Sequence, residues 1–259
     1  MQKKPIIIIS VLCVISLVLG YLSGLKEEDS ISNGDAETDS KKEPEFLKEG
    51  LVAYYPFNGN AKDESGNGHD GKVNGATLVA DRKGESNSAY EFGEYDSIIS
   101  SGLNSALGKE NFTFSAWINC TSFGAGNVIL SGGEYSPRSG GQFYLRIDDK
   151  NYKHKAQLYV VRNGKSQTVH SIRELIIGKW FHIIGQRMES GLKIFINGVQ
   201  ELESESEAVS VESTVPIRIG VMDSFVNARM NGLIDDVRIY NRALSADEVK
   251  ALYEFEKAK

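Results

Sequence analysis

From residue 51 onward, apolar and polar positions alternate in short runs broken by Gly, Asn and Asp, the period-two signature of half-buried strands. Leu51–Phe57 sets Leu51, Ala53, Tyr55 and Phe57 on one face. Asn111–Thr121 aligns Phe112, Phe114, Ala116, Ile118 and Cys120, with Trp117 opposite. Shorter runs at Ala76–Ala80, Ser88–Phe92, Ser97–Ser100, Val128–Ser131, Gln142–Ile147, Ala156–Val161, Gln167–Ile172 and Val215–Val221 keep the rhythm of sandwich strands. Lys179–Arg187 and Gly191–Val199 pair as a hairpin through Met188-Glu189-Ser190-Gly191, and Asn197-Gly198 turns the chain into Gln200–Glu203.

The closing unit, Asn231–Leu252, combines a strand and a helix start. Strict alternation points Leu233, Asp235, Val237 and Ile239 one way and Ile234, Asp236, Arg238 and Tyr240 the other. Apolar residues on both faces predict a strand covered on both sides. Ser245 and Glu248 form a capping-box pattern, with Leu244 and Val249 in staple positions. Many short strands and one terminal helix predict an all-β, two-sheet antiparallel β-sandwich with a short C-terminal helix.

Ahead of this domain, Lys3 and Lys4 precede an apolar run, Ile6–Leu19. Its length lies between a secretory h-region and a spanning helix, so residues 1–25 read as a signal peptide or a signal anchor. Basic residues before the run and acidic ones after it send the bulk of the chain outward. Residues 26–45 are polar, mostly acidic and without period, a flexible spacer. The globular part is 46–259. Cys13 sits in the apolar run and Cys120 in a strand, which excludes a disulfide framework.

Three stretches resemble a known family, in the family's own order. They are GLVAYYPFNGNAKDESGNGHDGKVNGA (Gly50–Ala76), GKWFHIIGQRMESGLKIFINGVQ (Gly178–Gln200) and GLIDDVRIYNRALSADEV near the C-terminus. The chain is similar to laminin-G-like and pentraxin-like domains of the concanavalin A-like lectin/glucanase superfamily. That resemblance implies a jelly roll displayed outside the cytoplasm.

The net charge of −6, with no Lys/Arg run interleaved with aromatics, argues against nucleic acid as a partner. It is compatible with a hard cation. Asp63 lies in a Gly/Asn-rich loop, and Asp235 lies on an otherwise apolar strand face, where a carboxylate needs a partner. A structural Ca²⁺ held by Asp63 and Asp235, with loop oxygens at His69, is therefore expected. The resemblance implies the same pairing of the D-x-SGNG loop with the G-x-I-D strand; Asp236 stands where the family often has Glu, so either Asp235 or Asp236 can face the ion. The alternative is that Asp63 caps its own turn and Asp235 accepts backbone or Arg238 bonds.

Glycan binding is the expected function, by analogy of fold, with Tyr135, Arg138, Tyr144 and Arg146 as candidate contacts and Tyr159 and Arg162 beside them. A protein-binding adhesion or assembly module of the cell surface is the alternative, and membrane contact is expected only through the N-terminal segment. Glu201, Glu203, Glu205 and Glu207 alternate as ELESESE, superficially like paired glycosidase acids. Their small spacers read instead as a solvated edge strand, so no catalytic residue is assigned. The four histidines show no zinc spacing, and Trp117 and Trp180 read as core anchors.

Overall fold

The computed structural model describes residues 42–93, 96–100, 102–103, 111–124, 126–133, 141–148, 153–205, 209, 211, 215–222 and 228–259. Among them the first strands are β1 (Leu51–Tyr55), β2 (Gly71–Asn74), β3 (Thr77–Val79), β4 (Ala89–Phe92) and β5 (Ser97–Ser100). Then come β6 (Phe112–Cys120), β7 (Asn127–Gly133), β8 (Gln142–Asp148), β9 (Lys155–Arg162) and β10 (Lys165–Glu174). The last are β11 (Trp180–Met188), β12 (Gly191–Ile196), β13 (Val199–Glu205), β14 (Arg218–Ile219) and β15 (Gly232–Tyr240), followed by helix α1 (Ala246–Ala258).

Sheet A runs β13-β12-β11-β6-β15-β4-β3, with β1 also pairing β15; sheet B runs β10-β9-β8-β7-β14-β5-β2. The described pairings are antiparallel, so the two sheets form the expected jelly-roll sandwich. The inner faces meet in one apolar core, where Phe114, Ile118, Ile234 and Ile239 of sheet A pack with Leu130, Phe143, Ile147 and Leu158 of sheet B. Each such side chain contributes roughly 1.5–3 kcal/mol of burial.

A smaller cluster lies on the other side of sheet A. Ile184, Phe195 and Tyr240 meet Leu47, Leu244, Val249 and Leu252 beneath α1. The helix starts as its sequence dictates: Ser245 Oγ accepts from the Glu248 amide at 3.2 Å, and Glu248 Oε2 accepts from the Ser245 amide at 2.7 Å.

The structure corrects the alternation expected for β15. Asp235 registers with Trp117 and Arg238 with Ser115, so β15 carries one extra residue there, a bulge with Asp236 at φ +43°. The bulge resets the faces. Ile234, Val237 and Ile239 point to the inter-sheet core, while Tyr240 joins the cluster beneath α1 and the Asp235, Asp236 and Arg238 side chains all reach groups of that same side. Trp117 is likewise buried, but with the helix: its Nε1 donates to Glu256. Trp180 is only half-buried. The strand expected at Val215–Val221 shortens to β14, and β2 forms where no strand was expected.

Candidate functional site

Two polar regions stand out, one closed and one open. The closed one lies between sheet A and α1, where the β15 bulge turns two neighbouring carboxylates toward one guanidinium. Arg82 donates from Nη1 to Asp235 Oδ2 at 2.5 Å and from Nη2 to Asp236 Oδ2 at 2.8 Å, and also reaches the Glu256 carbonyl. Asp236 Oδ1 accepts from Tyr54 Oη at 2.7 Å and lies 3.4 Å from Lys259 Nζ. Glu256, fully buried on α1, accepts from Trp117 Nε1 at 2.9 Å and Arg238 Nε at 2.7 Å. Arg238 also donates to Glu43 at 2.6 Å, and its guanidinium lies over the Tyr54 ring.

The protonation states follow from burial and neighbours. Burial, then the adjacent Asp236 charge, pushes Asp235 up to about 8. Burial acts on Asp236 too, but Lys259 and Arg82 outweigh it and hold that carboxyl below its usual range. Burial and Asp236 push Glu256 up to about 7, and burial with nearby Arg82 drives His182 down to about 3. His182 is thus a neutral imidazole, with Nε2 at 2.7 Å from Ser115 Oγ.

The calcium set expected from Asp63, His69 and Asp235 is not assembled. Asp63 Oδ1 accepts from the amides of Tyr54 and Ser65, each at 2.9 Å, and Oδ2 from the amide of His69 at 2.9 Å. Burial would raise its pKa, but these donors outweigh it and hold the carboxyl below its usual value. The His69 carbonyl accepts from Tyr55 Oη at 2.6 Å. Tyr54 uses both its amide and its carbonyl on the loop, at Asp63 and Glu64, so β1 stands between that loop and β15. Asp235 is filled by Arg82 and the Asp236 amide. Among the described residues no group of three or more His, Cys, Asp or Glu is placed to hold a metal ion. The turn-capping alternative for Asp63 and the arginine alternative for Asp235 are the ones realised, with Arg82 in place of Arg238.

The open region is the outer face of sheet B. Phe143, Leu145 and Ile147 point into the core, so Tyr144, Arg146 and Asp148 of β8 point outward, opposite Tyr159, Gln157 and Lys155 of β9. The Tyr144 and Tyr159 rings stack with centroids 4.8 Å apart, and the Arg146 guanidinium lies 4.8 Å from the Tyr144 centroid. Arg146 Nε donates to Gln157 Oε1 at 2.6 Å and Nη2 to Asp148 Oδ2 at 3.3 Å; Gln157 Nε2 donates to Thr168 Oγ1 at 3.1 Å. His170 Nε2 lies 3.9 Å from Asp148 Oδ2, and burial holds its pKa below the usual value. The expected pair Tyr144 and Arg146 is therefore brought together on one half-buried face. Tyr135 and Arg138 lie outside the described residues. Gln157, Thr168 and Asp148 were missed in the sequence; the signal available was position, with Asp148 two residues beyond Arg146 on the same strand, Gln157 opposite Arg146 on β9 and Thr168 opposite Tyr159 on β10.

The alternating acids behave as an edge. Glu201 Oε2 accepts from the amides of Ile172 and Arg173 at 3.1 and 2.9 Å, and Glu203 pairs with Lys193 at 3.3 Å.

Fold and outer face together define a lectin-like β-sandwich. The family model described as the concanavalin A-like lectin/glucanases superfamily, Laminin_G_3, matches residues 92–250, and the chain belongs to that family. No curated protein sequence matches the chain. Among solved structures it is similar to domain 4 of AbnA, a GH43 extracellular arabinanase from Geobacillus stearothermophilus, in complex with arabinotriose. That likeness has 19% identity and a TM-score of 0.63, covering 78% of this chain and 98% of that one. It is also similar to the binding domain of botulinum neurotoxin serotype D, at 19% identity and TM-score 0.59, covering 81% of this chain and 51% of that one. A Trypanosoma rangeli sialidase mutant displaying trans-sialidase activity matches at 16% identity and TM-score 0.61, over 82% of this chain and 34% of that one. At these identities the likeness is one of fold.

Proposed function

We propose that the domain is a non-catalytic carbohydrate-binding module, exported behind its apolar N-terminal segment, with its ligand on the outer face of sheet B. The observation that carries the reading is the Tyr144–Tyr159 ledge flanked by Arg146, Gln157, Asp148 and Thr168. A sugar presents one apolar C–H face and a rim of hydroxyls. The ledge suits the first. The half-buried Arg146 guanidinium and the exposed Thr168 hydroxyl, held in place by the buried Gln157 and Asp148, suit the second, because few well-held polar groups set orientation in a binding site. The arabinotriose complex of a similarly folded domain supports the reading by analogy of fold alone. The test is a glycan array with the full chain, followed by titration of the best binder against Tyr159→Ala. The reading predicts binding by the wild type and a loss of at least about tenfold in the variant, roughly 1.4 kcal/mol. Equal affinity in both would place the ligand elsewhere.

A second reading, protein binding, has its own observation. Ile172, Ile176 and Ile177 at the exit of β10 and Val199 and Leu202 on β13 are exposed, from 44% to 61%. Aliphatic side chains gathered where the β10 edge of sheet B meets the β13 edge of sheet A are the kind of surface that partners cover. A pull-down from cell envelope that Leu202→Asp abolishes, with glycan binding intact, would favour it.

A further inference from the structure

Large aliphatic side chains gather at one corner of the sandwich. Ile172, Ile176, Ile177, Val199 and Leu202 are 44–61% exposed; among the described residues the other exposed large apolar side chains are Phe46 and Val73. Two turns build the corner. Beyond β10 the chain turns at 176–179, where the Lys179 amide donates to the Ile176 carbonyl, and enters β11 at Trp180. The Asn197-Gly198 turn between β12 and β13 lies against the start of β11, with the Asn197 amide donating to the His182 carbonyl at 2.8 Å. Glu201 ties β13 to β10 by accepting from the Ile172 and Arg173 amides. The first turn stands clear: a Cβ on Gly178, at φ +75°, would meet no atom within 4 Å. The side chain of Glu201 is 7% exposed and occupied by those amides and by Arg173, while exposed Lys179 and half-buried Trp180 follow the two isoleucines.

Such a patch calls for an apolar partner, and the chain brings one within reach. The apolar run Ile6–Leu19 lies in residues 1–25, and only residues 26–41 separate that segment from the first described residue. A stretch of that length spans at most about 55 Å when extended, and roughly 20–25 Å as the flexible coil its composition implies. An anchor at residues 1–25 therefore keeps the domain beside a bilayer at a roughly millimolar effective concentration, where a contact too weak to recruit a free domain is made.

We propose that the domain, held by residues 1–25 as an anchor, rests this corner on the bilayer surface. Ile176 and Ile177 enter the boundary between headgroups and acyl chains, Trp180 lies at headgroup level and the Lys179 ammonium stays in water. The proposal is independent of the glycan reading, and it gives the exposed aliphatic edge a lipid occupant in place of a protein one.

The experiment is tryptophan quenching in the full chain, reconstituted through its N-terminal segment into phosphatidylcholine vesicles with plain or brominated acyl chains. The chain has two tryptophans, and Trp117 is buried beneath α1, so quenching by lipid reports Trp180. The expected result is quenching that is stronger with bromine near the headgroup than near the chain end, and that persists in about 0.5 M NaCl because the contact is apolar. Replacing both isoleucines, Ile176→Asp with Ile177→Asp, should lower the docked-to-undocked ratio at least about tenfold, with the melting temperature unchanged because both side chains are exposed. Val73→Asp, on the opposite edge of sheet B, should leave the quenching as it is. Absence of quenching in the wild type would overturn the proposal, as would mass spectrometry showing that the envelope form lacks residues 1–25. A dimer that Ile177→Asp dissociates, or an envelope protein captured through the same side chains, with Trp180 unquenched by lipid, would overturn it in favour of a second copy or a protein partner.

Discussion

At the scale of single residues, Arg82 has the heaviest structural duty. Among the described residues it alone bridges Asp235 and Asp236, both buried, and its own side chain is 8% exposed. Removing one partner of such a buried set leaves charge uncompensated, so Arg82→Ala should cost about 3–5 kcal/mol in urea unfolding. A cost under about 1 kcal/mol would mean the carboxylates find other partners. Gly132 is a second test at this scale. A Cβ there would sit 2.3 Å from the Phe143 ring, in the middle of the core, so Gly132→Ala should destabilise by roughly 1–3 kcal/mol through overpacking. The sequence announced neither residue. Arg82 sits in a Gly/Asp-rich connection whose only visible property is to be a turn. Gly132 lies just past the expected run Val128–Ser131, yet it is the last-but-one residue of β7. What made Asp235 legible was a polar residue amid apolar ones; what hid its partner was a sequence separation of more than 150 residues.

At the scale of elements, the terminal helix and the bulged strand depend on each other. The capping box was readable from Ser245 and Glu248 alone because it is a local rule. Ser245→Ala should lower stability by about 1 kcal/mol, measured against Ser245→Gly, which should cost only a few tenths. The bulge was not readable, because alternation cannot report an inserted residue until the partner strand is known, and so Asp235 was placed with Val237 and Ile239, and Ile234 with Asp236 and Arg238. Its consequence is a pH response. Glu256 and Asp235 have folded-state pKa values near 7 and 8. Both retain protons that the unfolded chain releases near pH 4, so their contribution to stability is complete below that value and is lost as pH rises through 7 and 8. His182, depressed to about 3, acts oppositely: the unfolded chain protonates near 6.5, so its contribution is lost on going below that pH. The melting temperature should therefore fall between pH 6.5 and 9, and Glu256→Gln should flatten that fall. A melting temperature constant over this range would refute the assignment of a proton to this network.

At the scale of the whole molecule, the sandwich joins a closed face to an open one. Sheet A is sealed by α1 and its ion network; sheet B leaves polar and aromatic side chains half-exposed. The sandwich class was legible because strand rhythm and the terminal helix survive any rearrangement of order, whereas strand neighbours such as β6 and β15 are decided by chain-distant packing. Among the described residues the expected calcium ligands do not meet, for a reason at this scale. Asp63 serves the far edge of β1 and Asp235 the side facing α1, so two carboxylates that sequence motifs seemed to bring together are separated by a strand. Chelation should accordingly leave the melting temperature unchanged, and a drop of several degrees in EDTA, restored by calcium, would contradict that.

The central claim is that sheet B's outer face is where this protein meets its ligand. The most direct test is hydrogen exchange of the full chain with and without a bound oligosaccharide, resolved by segment. The account predicts protection concentrated in β8 and β9, around Tyr144, Arg146 and Tyr159, with β12 and α1 unchanged. Protection confined to sheet A or to the β10–β13 edge, with β8 and β9 unaffected, would contradict it.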